Sequence, residues 1–176
     1  MSDANRLHEV QQRNRELSAQ LVHSATEVDI TIATAESLTA GALAATIADT
    51  PGASAVLRGG FVVYATELKA TLAGVDEELL RERGPVDPDV ARQLAQGARE
   101  RCGADLGIGL TGVAGPDPQN GHPVGEVYLG VASPSGVRSE KLALADEEDV
   151  SRETIRLLTV QRGLLSLLAE VRALER

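Results

Sequence analysis

Short apolar stretches alternate along this chain with stretches of helical periodicity, and this alternation limits its fold more than any other feature. The apolar stretches VDITIATA, VLRGGFVVY and ADLGIGL have the length of buried strands. Strands that alternate with helices form a largely parallel sheet covered by helices on both faces. Two further strands joined by Ser-Pro-Ser-Gly indicate a hairpin. We therefore predict an α/β fold, a three-layer α/β/α sandwich with a mixed, mostly parallel sheet.

The predicted elements run through the chain without a linker or a repeat, so we expect a single domain over residues 1–176. Asp87 followed by Pro88 is typical of a helix start, because an Asp side chain caps free amides and proline suits the first helical position. Helices are predicted at 4–25, 38–49, 66–73, 76–83, from Pro88 onward, and 147–173.

Composition excludes several classes of function. The net charge is -9 and aromatic residues make up only 2% of the chain, so a protein that tracks nucleic acid or an anionic membrane is not expected. The start MSDANRLHEV is too polar for a signal peptide, and no apolar stretch approaches the roughly 18 residues of a membrane span. We expect a cytoplasmic protein. The single cysteine, Cys102, excludes an internal disulfide and a cysteine-rich zinc site.

Polar residues follow three of the predicted strands, at the sheet edge where ligands of such folds bind. The three junctions are Glu36 to Thr39, Tyr64 to Lys69, and Thr111 to Asp117.

The first junction has two interpretations. Ser37 or Thr39 could cap the following helix, which is the ordinary use of a hydroxyl there. Alternatively, Ser37 is a nucleophile, and the small residues Ala40 and Gly41 let a ligand approach the backbone. Glu36 would hold the turn by accepting backbone amides.

A serine nucleophile needs a base. His8, His23 and His122 are interpreted as solvated surface histidines, so no Ser/His/Asp triad is indicated. Lys69 is the other candidate, since a lysine desolvated at a strand end loses its proton more easily. Standing alone, Lys69 would be interpreted as a solvated helix lysine.

The sequence Gly107-Ile-Gly-Leu-Thr-Gly112 fits the letters of a dinucleotide fingerprint. Its context does not fit, because these residues lie inside a predicted strand and a proline-rich loop follows instead of a helix. We therefore predict no dinucleotide site.

The three junctions resemble, in order, the motifs of the CinA C-terminal domain family, which includes stand-alone nicotinamide-nucleotide amidases. The family pattern is roughly A-E-S-C-T-G-G, then Y-S-N-x-x-K, then T-G-I-A-G-P and P-V-G. This chain has AESLTAG, YATELK, TGVAGPD and PVG, and the resemblance extends from about residue 5 into the last helix.

This resemblance implies a homo-oligomer that hydrolyses nicotinamide mononucleotide (NMN) to nicotinic acid mononucleotide and ammonia, with no cofactor and no metal. It implies Ser37 as nucleophile and Lys69 as base, with Tyr64 helping to position the lysine. Ser54 resembles a second family serine and is a rival nucleophile. The residues expected at the substrate or the oxyanion are Glu36, Thr39, Gly41, Ser54, Thr111, Gly112 and Gly115.

The chain departs from the family pattern at several positions. Leu38 stands for the family cysteine, Ala40 for its first glycine, and Ala65-Thr66 for the Ser-Asn pair. Glu147 stands where family amidases carry an arginine, and a carboxylate there should repel a substrate phosphate. Arg152 is the arginine that could take over this role. These departures keep two alternatives open: a catalytically lapsed nucleotide-binding or interaction module, or an amidase of another substrate.

Overall fold

The computed structural model describes residues 3–144 and 150–174 of the chain. Its centre is a five-stranded sheet with the strand order β2-β1-β3-β4-β5. Strands β1, β2 and β3 are parallel, whereas β4 pairs antiparallel with both β3 and β5. Four strands therefore run in one direction and only β4 opposes them, so the predicted mixed, mostly parallel sheet is confirmed. The strands are β1 Ile32–Glu36, β2 Leu57–Val62, β3 Leu106–Gly112, β4 Glu126–Ser133 and β5 Gly136–Ala143.

Helices cover both faces of this sheet, which confirms the three-layer sandwich. One apolar core joins the sheet to α1 (Asp3–Glu27), α2 (Ala42–Ala48) and α6 (Arg152–Leu174). A smaller core on the opposite face joins it to α3 (Thr66–Ala73), α4 (Glu77–Arg83) and α5 (Pro88–Cys102). Alternate residues of β1 serve the two cores, with Ile32 on the first and Ala33 on the second, as the two-residue period of a strand requires. Within the described ranges, no helix is both long and apolar enough to cross a membrane.

The glycines of β3 are explained by the packing of α5. A methyl group added to Gly109 would lie 2.5 Å from the Ala91 carbonyl oxygen of α5, and one added to Gly107 would overlap the Ala95 carbonyl. A methyl group added to Gly130 of β4 would likewise overlap the Ala91 carbonyl of α5. These glycines lie within β3, as predicted, and the Gly-Ile-Gly pattern lets a helix backbone lie directly on the sheet.

One predicted helix start is wrong, and a second cannot be compared with the structure at the predicted residue. α2 begins at Ala42 and not at residue 38, because Ala40 and Gly41 have left-handed backbone angles with φ of 51° and 90°. Neither Ser37 nor Thr39 caps this helix; its first-turn amides are satisfied by Glu36 instead. α6 begins at Arg152, where the Ser151 hydroxyl accepts the amide of Thr154. The predicted start at residue 147, and Glu147 itself, lie outside the described residues.

Candidate active site

The three polar junctions meet at one edge of the sheet, as their positions after β1, β2 and β3 predict. They line a pocket of about 100 Å³ that the first residue of α6 also borders. This volume is below the roughly 300–1,000 Å³ of pockets that enclose a whole small molecule. The pocket can therefore surround a reacting group while the rest of a ligand lies at its mouth. Its lining includes Ser37, Leu38, Tyr64, Thr66, Lys69, Thr111, Gly112, Ala114, Gly115, Asp117 and Arg152.

Ser37 and Lys69 form a hydrogen-bonded pair at the base of this pocket. The Lys69 side chain is only 1% exposed, and its Nζ lies 3.1 Å from Ser37 Oγ. The carbonyl oxygens of Val63, at 2.8 Å, and Tyr64, at 3.4 Å, also accept from Nζ. A neutral amine has two N–H groups and one lone pair. If the two carbonyls accept the N–H groups, the lone pair is free to accept the proton of the Ser37 hydroxyl.

Burial lowers the pKa of Lys69 from 10.5 to about 8. Desolvation is the main cause, because removal from water disfavours the charged ammonium. The nearby Glu67 carboxylate acts in the opposite direction and raises the pKa of Lys69. A substantial fraction of Lys69 is therefore neutral near pH 7.5, as a general base must be.

Tyr64 contributes to the pair through its backbone, while its side chain faces outward and is 55% exposed. The phenol oxygen accepts a hydrogen bond of 2.8 Å from Arg152 Nη2. Arg152 Nη1 donates to the carbonyl of Gly115, on the loop after β3. Arg152 therefore puts a guanidinium on the pocket.

Glu36 is fully buried and does not line the pocket. Its carboxylate accepts the backbone amides of Leu43 at 3.0 Å and Ala44 at 2.8 Å. A carboxylate at the start of a helix is stabilised by these free amides and by the helix dipole. The interpretation that Glu36 accepts backbone amides is confirmed, and its partners belong to α2.

The remaining candidate residues fall into two groups. Thr111, Gly112 and Gly115 line the pocket, although the Thr111 hydroxyl already donates to the Pro85 carbonyl at 2.6 Å. Thr39 and Gly41 belong to the turn after Ser37 without lining the pocket.

Ser54 lies in the short 3-10 turn Ala53–Ala55 that precedes β2, whereas the pocket lies beyond the opposite end of that strand. Its side chain is exposed. The structure therefore does not bring Ser54 together with Lys69, and Ser37 is the serine that the buried lysine contacts.

Several residues that line the pocket have backbone amides with no acceptor among the described residues. Leu38, Ala114 and Gly115 are among them. Unpaired amides that face a reacting carbonyl are the usual donors to an oxyanion. Gly115 was expected to offer an amide, whereas Leu38 and Ala114 were missed because an apolar side chain gives no sign of a free backbone N–H.

None of the three histidines lines the pocket. His8 and His23 are exposed on α1, and His122 pairs with Glu126 at 2.9 Å. Among the described residues, no group of His, Cys, Asp and Glu side chains is arranged to hold a metal ion. Among the described residues, Lys69 is the basic group whose side chain contacts the Ser37 hydroxyl.

α6 contributes a second arginine next to this site, which the sequence analysis did not identify. Arg156 donates from Nε to the Leu38 carbonyl and from Nη2 to the Thr39 carbonyl, both at 2.9 Å. The only sequence signal was its spacing of four residues from Arg152, which places both side chains on one face of the helix.

Comparison with known proteins identifies relatives of this chain. Residues 14–171 match the family described as the CinA C-terminal domain. A CinA-like protein of Frankia casuarinae is 50% identical over 114 residues, which are 65% of this chain and 26% of that protein. A protein of Streptococcus thermophilus named as competence-damage inducible is 46% identical over 129 residues, 73% of this chain and 30% of that protein. The chain therefore spans about a quarter to a third of the length of these curated relatives.

Solved structures show the same fold over nearly their whole length. The competence/damage inducible protein CihA from Agrobacterium tumefaciens is 34% identical with a TM-score of 0.84, over 89% of this chain and 94% of that one. The competence damage-inducible protein A (ComA) from Klebsiella pneumoniae is 25% identical with a TM-score of 0.85, over 90% and 97%. With the match over residues 14–171, these relatives establish that the chain belongs to the CinA C-terminal domain family.

Proposed function

We propose that this protein is a metal-independent amidase that hydrolyses NMN to nicotinic acid mononucleotide and ammonia in pyridine-nucleotide salvage. The observation that carries the proposal is the buried Ser37–Lys69 pair, with 3.1 Å between hydroxyl and amine and a lysine pKa lowered to about 8. A serine beside a lysine that is partly neutral is an activated nucleophile. A lapsed binding module would have no need to keep a lysine 1% exposed at such a cost in desolvation.

The reaction would follow from the geometry of this pair. Ser37 Oγ attacks the carboxamide carbon as its proton passes to Lys69 Nζ, and free amides such as that of Leu38 stabilise the oxyanion. Lys69 then returns the proton to the amide nitrogen, the C–N bond breaks, and ammonia leaves. The acyl group remains on Ser37 as an ester. Water, deprotonated by Lys69, hydrolyses this ester to the acid and restores the hydroxyl.

The charges around the pocket fit a nucleotide that carries both signs. NMN has a neutral carboxamide, a cationic pyridinium ring and an anionic phosphate. The small cavity would take the carboxamide, while Asp117 would face the ring and Arg152 the phosphate. A guanidinium forms paired hydrogen bonds with phosphate oxygens, which makes it a selective anion ligand. The homo-oligomer implied by the resemblance to the family remains part of the proposal.

The test is ammonia release from NMN by the purified protein. We expect turnover that is lost in Ser37→Ala and in Lys69→Ala. Ser54→Ala is the matched control, because Ser54 is an exposed serine away from the pocket and should leave turnover unchanged. Free nicotinamide and nicotinamide riboside, assayed in parallel, report whether the phosphate is required. A folded wild-type protein that releases no ammonia from NMN would contradict the assigned substrate.

A further inference from the structure

We infer that Arg156 is a positioning residue that holds the backbone after Ser37 in its reactive shape. This inference deepens the proposed function and rests on it in one respect, that Ser37 is the nucleophile. Arg156 does not line the pocket, so it acts through the turn and not on a substrate. Its guanidinium donates to two consecutive carbonyls, those of Leu38 and Thr39.

The turn after Ser37 needs such support because its backbone is strained. Ala40 has a φ of 51°, which residues with a Cβ adopt at a cost of about 1–2 kcal/mol. Strain of this kind persists only where surrounding contacts hold it in place. Glu36 holds the amides at the start of α2, whereas the Leu38 and Thr39 carbonyls of the turn are held from α6 by Arg156.

One peptide unit connects Arg156 to the nucleophile. The Thr39 carbonyl accepts from Arg156, and the amide on the other side of the same peptide bond, that of Ala40, donates to the Ser37 carbonyl at 3.0 Å. Because a peptide bond is planar, fixing the carbonyl also fixes the direction of the amide. Arg156 is thus linked through one rigid unit to the backbone of Ser37, whose side chain must stay within reach of Lys69.

The charge of Arg156 has no competing use in the described part of the chain. No carboxylate pairs with it there, unlike Arg162 on the same helix, which pairs with Glu140 at 2.9 Å. Both side-chain acceptors of Arg156 are carbonyls of this turn, so its charge acts on the backbone after Ser37. A hydrogen bond from a charged group is also about twice as strong as a neutral one.

The experiment compares Arg156→Met, which keeps the aliphatic stem and removes the donors, with Arg156→Lys and with the control Arg162→Ala. The main readout is the rate at which a fluorophosphonate probe labels Ser37, with Ser37→Ala as background. We expect Arg156→Met to slow labelling about 10- to 100-fold, since misplacing a reacting group by about 1 Å can cost that much. Arg156→Lys should recover part of the rate, and Arg162→Ala should label as the wild type does.

A second readout separates positioning from general destabilisation. In NMN hydrolysis, Arg156→Met should lower kcat and leave KM within about twofold, because substrate binding is untouched while the chemical step is slowed. Wild-type labelling by a folded Arg156→Met protein would overturn the inference. If that variant does not fold, Arg156→Lys decides, and labelling at the wild-type rate would overturn it equally.

The two proposals fail in different ways. A wild-type protein that labels at Ser37 but releases no ammonia from NMN contradicts the substrate alone, and the labelling rates still test Arg156. A wild-type protein in which Ser37 does not label overturns the role of Arg156 as well.

Discussion

Amide hydrolysis by this protein should depend on pH through Lys69. The amine acts as a base only when neutral, so activity should follow the neutral fraction of Lys69. With a pKa of about 8 that fraction is about one in ten at pH 7, whereas the ordinary value of 10.5 would leave about one in three thousand. Burial of this one side chain therefore raises the neutral fraction of Lys69 at pH 7 by a factor of about 300.

The assay is ammonia release from NMN in buffers between about pH 5.5 and 9.5, analysed as kcat/KM, which reports the pKa values of the free enzyme. We expect a rise of about tenfold per pH unit on the acid side, a midpoint near 8 and a plateau above about 9. Two variants sharpen the assignment. Lys69→Arg should lose about 10²–10⁴-fold in rate, since a guanidinium stays protonated. Glu67→Gln should move the midpoint to lower pH, because the Glu67 carboxylate raises the pKa of Lys69.

The reasoning is refuted by a midpoint near 6.5, the range of an unperturbed histidine, or by activity that still rises with the ordinary lysine pKa. A midpoint that Glu67→Gln moves to higher pH would contradict the electrostatic argument in particular.

Three further predictions concern stability and specificity. Between about pH 8 and 10.5 the unfolded chain binds more protons at Lys69 than the folded one, so the stability of the wild type should rise with pH. The rise relative to Lys69→Met should reach up to about 3 kcal/mol. Urea titrations in which the free energy of unfolding changes equally with pH in both proteins would contradict this. Gly109→Ala should lower the free energy of unfolding by about 2 kcal/mol or more, because the added methyl meets the backbone of α5, whereas Gly163→Ala on α6, where it meets only movable side-chain ends, should change it by less than about 1 kcal/mol; similar melting temperatures would disprove the distinction. Arg152→Ala should raise KM for NMN about 10- to 100-fold and leave KM for nicotinamide riboside unchanged, and an equal rise for both would exclude a phosphate contact.

The layer order and the meeting of the three junctions could be predicted from the sequence, because both depend on periodicity and on the common direction of parallel strands. Ser37, Tyr64 and Lys69 stand directly after strands or one turn later, so their convergence follows from topology. The pairing of Ser37 with Lys69 came from the resemblance to the family, because residue type alone would make Lys69 a solvated helix lysine.

The turn after Ser37 could not be predicted in the same way. Its shape depends on a positive φ at Ala40, a conformation that an alanine in the sequence does not indicate. It also depends on hydrogen bonds from α6, more than a hundred residues later in the chain. Glu36 shows the same limit, because its carboxylate accepts helix amides seven and eight residues later and replaces the nearer hydroxyls of Ser37 and Thr39. Long-range contacts of this kind override local capping preference, and the helix start shifted accordingly.

The position of α6 after all five strands has a consequence for synthesis. Ser37 and Lys69 leave the ribosome long before Arg152 and Arg156, and domains that fold during translation begin with their N-terminal part. A nascent chain can therefore bring its nucleophile and base together while the turn between them and α2 still lacks its guanidinium support. We expect such a ribosome-bound intermediate to be acylated more slowly than the finished protein, so that full reactivity is reached only when α6 is complete.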